Sequence, residues 1–443
     1  MVRVPACHAG GCEFKSRRPR HSAQRPPALI GAGGRLLLPH MTLPDLPPPT
    51  LVQSREGMGR LLDDLERQEE VAVDTEADSF YSYREKVCLM QITAEDRDYL
   101  VDPLAADVDM TLLGELFEDP ECIKVFHDGE YDVLILKREH DFSFSNLFDT
   151  RVAAATLGSK SPGLASVIEA EFGVELDKSQ QRSDWAKRPL SEEQIVYARL
   201  DTHFLLPLMH RLRTRLAEQG RTRIVDGECR RIEALQASSP TFNPDEFVRI
   251  KGARGLRPIE RRALRELYAL REELASEADV PPFRVMNNQV LLELASQRPD
   301  AERGLTRIHG FSPRMVRRFG RRVLEVIEGA SEQGPLERLP AMPKRDGTDV
   351  LDEIGLDLYE RLKRWRKGVA EEAGIESSYL LNRHVMLRLA IARPADAGAL
   401  LEIEGLMDWQ REAYSDELLD VVAEFEREVE AGQVPRRRPW RRG

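Results

Sequence analysis

Residues 71–78 read VAVDTEAD. A short apolar run of the kind that forms a buried strand ends in acids at every second position, Asp74, Glu76 and Asp78. Side chains at i and i+2 on a strand share a face, so Asp74 and Glu76 point the same way, while Asp78 falls past the strand's end. Two carboxylates side by side repel unless a cation sits between them. A solvated strand end is the plain alternative, and the rest of the chain has to decide.

Around this run, residues 70–216 read as an α/β pattern. Strand-like runs are EVAVDTE (70–76), VCLMQIT (87–93), RDYLVD (97–102) and CIKVFH (122–127). The first three follow one another through short turns, which suggests an antiparallel meander. Helical patterns over 110–118, 129–139, 150–157, 163–172 and 191–217 then alternate with strands, which suggests crossover units. The expectation is a mixed sheet flanked by helices.

Two further segments bring acids toward the same place. In KVFHDGEYDVLILKREH (124–140) a strand runs into a helix, with Asp128 suited to an N-cap and Asp132 about a turn further on. In SEEQIVYARLDTHFLLPL (191–208), Ser191 and Gln194 form a capping box, and Tyr197 and Asp201 are i and i+4 on one helical face. The neighbours Ile195, Val196, Leu200, Phe204 and Leu205 are apolar, so the pair reads as partly buried. Acids from three separated segments, at strand ends and helix starts, suit two divalent ions, and oxygen ligands favour Mg²⁺ or Mn²⁺. Two such ions stabilise the attacking and leaving oxygens of an in-line phosphoryl displacement.

VDTEAD, FHDGEYD and YARLD resemble the three exonuclease motifs of the DEDD superfamily, and Tyr197 four residues before Asp201 marks its DEDDy branch. QQRSDWAKRPLSEEQIVYARLDTHFLL (180–206) is similar to the ribonuclease D family nearly throughout, and FDT (148–150) fits too. The resemblance implies a ribonuclease H-like α/β exonuclease domain and a metal-dependent enzyme cleaving RNA from its 3′ end to nucleoside 5′-monophosphates, with tRNA precursors or other structured RNAs as substrates. It implies catalytic roles for five residues. Asp74 would bridge two metals, Glu76 and Asp201 would complete the first site, Asp132 would support the second, and Tyr197 would orient the attacking water. The same acids serve 3′–5′ DNA exonucleases, so RNA preference rests on the resemblance alone. A non-catalytic nucleic-acid scaffold is the rival from another class, and the intact acids argue against it.

After 217 the chain reads as wholly helical and contains a repeat. Residues 270–299 align without gaps to 365–394 at an offset of 95, about a third identical, and the register holds to His309–Gly310 against Glu404–Gly405. The repeats resemble tandem HRDC domains. The expected layout is an exonuclease domain over 51–237, a linker over 238–255, a first HRDC domain over 256–330, a linker over 331–350, a second HRDC-like domain over 351–430 and a basic tail over 431–443.

Candidate nucleic-acid contacts are Gln180, Arg182, Trp185 and Arg188, with Arg188 suited to phosphate, and the cluster Arg314, Arg317, Arg318, Arg321 and Arg322, whose spacing puts several on one helical face. Packing under the catalytic helix is the plain alternative for Trp185, and a solvated basic face for the Arg cluster. His127 reads as structural rather than as a ligand.

With 443 residues and a net charge of −11, the chain is not coated with basic charge, which leaves room only for a local basic groove. No apolar run approaches a membrane span. Five scattered Cys do not make a disulfide framework. A cytoplasmic monomer is expected. Residues 1–40 hold seven Lys/Arg and a single acid, Glu13, and 1–50 reads as a disordered or mis-assigned extension, with CHAGGC (7–12) lacking a second ligand pair for a metal.

Overall fold

The computed structural model describes residues 46–238, 241–341 and 347–433. The CHAGGC segment and most of the basic tail, PRRRPWRRG (435–443), lie outside the described residues.

The N-terminal half holds a six-stranded sheet in the order β1-β4-β3-β2-β5-β6, made of β1 (Thr50–Val52), β2 (Glu70–Ala77), β3 (Val87–Ala94), β4 (Arg97–Val101), β5 (Ile123–Phe126) and β6 (Leu147–Asp149). Strands β2, β3 and β4 form the antiparallel meander, and β5 and β6 run parallel to β2 after helical crossovers. Strand β1 begins inside the stretch expected to be unstructured, because Thr50–Val52 pairs in parallel with Tyr99–Val101 at the sheet edge.

Helix α1 (Arg55–Leu65), capped by Ser54, follows β1. Helices α2 (Gly114–Glu118), α3 (Glu130–His140), α4 (Thr150–Thr156) and α5 (Leu164–Phe172) occupy the crossovers and their flanks. The long helix expected over 191–217 is two, α6 (Glu192–His203) and α7 (Leu205–Glu218). Pro207 explains the break: its ring clashes with the carbonyl four residues back, that of His203, where α6 stops. Helix α8 (Thr222–Glu233) closes this half. All eight residues of β3 are buried, because helices cover both faces of the sheet centre and α6 lies across β2, β3 and β4.

The C-terminal half is two five-helix modules. The first has α9 (Pro258–Ala278), α10 (Pro282–Val285), α11 (Asn288–Gln297), α12 (Glu302–Leu305) and α13 (Pro313–Glu332). The second has α14 (Glu353–Ala373), α15 (Ser377–Leu380), α16 (Arg383–Ala392), α17 (Ala397–Leu401) and α18 (Asp408–Glu430), each starting 95 residues after its counterpart. The repeat extends to backbone and side chain. Arg298 and Arg393 both end a helix in the left-handed region, and Arg271 and Arg366 each donate to the carbonyl that follows the short helix, of Met286 and Leu381.

Each module has its own apolar core. The first includes Phe247, Val248, Ile250 and Ala253, so much of the 238–255 stretch expected as a linker is packed. Its Pro, Asn and Gly content reflects two 3₁₀ turns, Pro244–Arg249 and Ala253–Gly255, whose few apolar side chains all point inward. The expected second linker is also partly ordered against the module, since α13 runs to Glu332 and the Leu336 N–H donates to the Pro258 carbonyl.

Both modules grip the N-terminal half through the same end. In the first, Arg284 lies 4.2 Å over the Tyr81 ring, Asp279 accepts the Tyr83 N–H, and the Tyr83 hydroxyl donates to Glu272. In the second, Tyr379, which occupies the position of Arg284, is buried in the apolar core of the sheet half and accepts from Arg151, while Arg221 donates to the Ala373 carbonyl.

Candidate active site

Strand β2 runs past the end of its parallel partner: β5 pairs only with Glu70–Ala72, whereas β3 stays paired along β2 to Ala77. The Thr75 N–H therefore has no ladder partner on that side. Asp132, in the first turn of α3, takes it: its Oδ1 accepts from the Thr75 N–H at 3.1 Å and from the Thr75 hydroxyl at 2.5 Å. Asp128 adopts a left-handed backbone (φ 64°) and turns toward Arg151, and Gly129 is the residue before α3, so the N-cap role expected for Asp128 is not filled. The N–H groups of Asp128 and Gly129 instead donate to Asp149 of the FDT segment, which also caps α4.

Asp74 and Glu76 share the face of β2 that α6 covers, and α6 brings Asp201 to them. One carboxylate oxygen from each of the three lies within 4.8 Å of the others. Asp132 stands just outside this group but is near enough that its charge acts on all three. Burial raises every one of these acids, and repulsion from neighbouring acids adds to it, for Asp132 from Asp149. Glu76 is pushed up to about 9, Asp201 to about 7 and Asp132 to about 6, and Asp74 lies well above its ordinary range. At ~4 Å and an effective dielectric of ~20, each ionised pair costs about 4 kcal/mol. Carboxylates gathered this closely inside a protein fit hard divalent cations, which would hold them ionised.

Tyr197, one turn before Asp201, hydrogen-bonds to it, and burial and the surrounding acids hold the phenol protonated. Beneath it lies Trp185, 1% exposed, with ring centroids 5.9 Å apart. Trp185 is thus packing for the Tyr197 helix and cannot stack on a base, which corrects its expected nucleic-acid contact. Arg188 is corrected too. All five of its N–H groups are used: two by Asp102 at 2.7 Å each, the others by the carbonyls of Trp185, Lys187 and Cys88. The guanidinium clamps the 183–190 loop to the sheet and has no donor left for phosphate. Asp78, fully buried, closes the 78–86 loop by accepting from the Lys86 N–H and the Ser82 hydroxyl. His127 bonds to Thr150 and belongs to the scaffold.

Gln180 and Arg182 stay at the surface of the loop before α6, with the Arg182 guanidinium 5.8 Å over the Phe80 ring. The Tyr81 hydroxyl donates to the Arg182 carbonyl, and Arg284 covers the other side of Tyr81. An aromatic and basic rim, Phe80, Tyr81, Arg182 and Arg284, thus stands beside the strand that carries the acids. The sequence signal for it was DSFYSYREK (78–86), three aromatics among charges directly after Glu76. Of the distant cluster, Arg314, Arg317, Arg318 and Arg321 are exposed on α13, Arg321 pairing with Glu325, while Arg322 is tied to Glu273 and Glu277.

No helix among the described residues is long and apolar enough to cross a membrane. Residues 49–217 match the 3′–5′ exonuclease family, and 260–327 and 355–422 each match the HRDC domain. A ribonuclease D of Gluconacetobacter diazotrophicus is 30% identical over 380 residues, covering 84% of this chain and 92% of its own. The exosome exonuclease Rrp6 of Saccharomyces cerevisiae is 33% identical over 296 residues, but the match spans only 40% of its length. The crystal structure of Escherichia coli ribonuclease D, described as an exoribonuclease involved in structured RNA processing, superposes with a TM-score of 0.61 at 25% identity, covering 85% of this chain and 99% of that one. With the acids of three motifs converging on one sheet face and two HRDC modules behind them, the chain belongs to the ribonuclease D family of 3′–5′ exonucleases.

Proposed function

We propose that the protein shortens RNA one nucleotide at a time from the 3′ end, releasing nucleoside 5′-monophosphates, and that tRNA precursors or other structured RNAs in the cytoplasm are its substrates. The observation that carries this reading is the buried convergence of Asp74, Glu76 and Asp201 with Asp132 at its edge. Asp74, Glu76 and Asp201 would hold one divalent ion and Asp74 with Asp132 a second, Mg²⁺ or Mn²⁺ by the all-oxygen donor set. Such ions, when bound, screen the phosphate and acidify water.

The chain's own residues do the rest. Thr75 fixes one oxygen of Asp132, and the other would serve the site. Tyr197, protonated and steadied by Trp185 and Asp201, presents its hydroxyl to the water that attacks. Gln180, Arg182 and the aromatic rim receive the last nucleotides, where Phe80 and Tyr81 offer π faces to bases. Arg314, Arg317, Arg318 and Arg321 contact the phosphates of the body of the RNA as a monomeric enzyme feeds it in.

Incubating the purified protein with 3′- and 5′-labelled RNA and DNA, in Mg²⁺, Mn²⁺ or EDTA, tests this. Stepwise loss from RNA 3′ ends, abolished by EDTA and by Asp74→Ala, Glu76→Ala or Asp201→Ala in folded protein, is expected. More than a few per cent activity in any of the three variants would overturn the metal assignment. Tyr197→Phe should lower turnover strongly and leave Mn²⁺ affinity nearly intact.

A further inference from the structure

Gln91 lies in the middle of β3, 0% exposed, and neither its amide nitrogen nor its amide oxygen has a hydrogen-bond partner. Among the described residues it is the one side chain with both polar ends buried and unpaired. Leaving a buried polar group unsatisfied costs about 1–3 kcal/mol. Methionine or leucine would fill the same space without that cost, so packing alone gives no reason for a carboxamide here.

The sheet register says where the side chain points. Gln91 is paired with Asp74 on β2 and with Leu100 on β4. Directly opposed residues share a face, so Gln91 lies on the face of Asp74 and Glu76. Its same-face neighbours on β3 place it under α6. Leu89 packs with Trp185 and Ala198, and the hydroxyls of Thr93 and Thr202, the residue after Asp201, are hydrogen-bonded. Opposed Cβ atoms stand about 4.5–5.5 Å apart, which puts the carboxamide of Gln91 within reach of the Asp74 carboxylate.

We propose that Gln91 is a positioning residue of the metal centre, its carboxamide N–H donating to the Asp74 carboxylate when Asp74 holds a divalent cation. The proposal rests on the metal reading above. A donor behind a ligating carboxylate fixes its orientation, and removing such a partner costs about 10–100-fold in metal affinity. The unpaired amide is then a cost carried by the metal-free protein and recovered on loading.

Titrating full-length wild type and Gln91→Met with Mn²⁺ by calorimetry, and melting both proteins metal-free, tests it. Gln91→Met should bind Mn²⁺ at least ~10-fold more weakly and melt, metal-free, no lower than wild type. Gln91→Asn, which keeps the amide but shortens its reach, should lose Mn²⁺ affinity likewise and covers the case of a misfolded Gln91→Met. Unchanged Mn²⁺ affinity in the variants overturns the proposal. So does a lower metal-free melting temperature in a folded Gln91→Met, which would mark the amide as structural. Wild type that binds no Mn²⁺ would overturn the metal reading itself, and this proposal with it.

Discussion

The acids of the site work against the fold that holds them. Each of Asp74, Glu76, Asp132 and Asp201 binds its proton more tightly in the folded chain than in an unfolded one. From the ordinary carboxyl range near pH ~4 up to about 9, where Glu76 titrates, the folded state therefore carries the extra protons. Stability must fall as pH rises through that window, by linkage. The metal-free protein is expected to melt lower at pH 8.5 than at pH 6, and saturating Mg²⁺ should flatten the difference; calorimetric melts with and without EDTA check it. At pH 8 the folded site keeps Glu76 protonated while the unfolded chain ionises it, and Glu76→Gln removes that difference. It should stabilise the metal-free protein at pH 8 by on the order of 1–3 kcal/mol while abolishing hydrolysis, measured by denaturant unfolding beside a nuclease assay.

At the scale of the element, α6 carries both Tyr197 and Asp201, and a buried ion pair ties it to the sheet. Arg199 donates to Asp98 of β4 at 3.1 and 2.5 Å, and His203 and Thr93 add bonds to the same carboxylate. Burial alone would raise Asp98, but the bonds from His203, Arg199 and Thr93 outweigh it and hold Asp98 below the usual carboxylate range. Arg199→Leu should cost ~3–5 kcal/mol, the usual result of leaving one partner of a buried pair alone. Turnover should fall with it as α6 loosens, read by denaturant melts and kcat. The elements that the sequence made legible were those with long, strongly patterned runs: β2 to β5, the capping box of α6 and the five acidic and phenolic side chains. Strands β1 and β6 were not, because three residues carry no periodicity. The α6–α7 break was visible only in Pro207, inside an otherwise continuous apolar pattern. Arg188 and Trp185 were misread because what occupies them is remote: Asp102 lies 86 residues from Arg188, and the cover over Trp185 is tertiary.

Across the whole molecule the two HRDC modules share a backbone plan and differ in charge. Helix α13 opens PRMVRRFGRR, whereas its counterpart α18 opens DWQREAYSDE. The basic cluster that opens α13 thus has no counterpart at the start of α18. Replacing Arg314, Arg317, Arg318 and Arg321 by Gln should weaken binding of structured RNA and reduce the log–log salt slope by ~0.7–0.9 for each phosphate no longer neutralised. An unchanged slope in affinities measured across a salt series would assign these residues to a merely solvated face. The docking of the modules has a separate consequence. The first module holds the catalytic half through Tyr83, Asp279 and Arg284, and the second through Tyr379, Arg151 and Arg221, so neither attachment runs through the other. Chain continuity between Leu339 and Thr348 is therefore dispensable for assembly. A protease site inserted there should yield, after cleavage, two fragments that still travel as one species through a sizing column, a split enzyme joined only by its own interfaces.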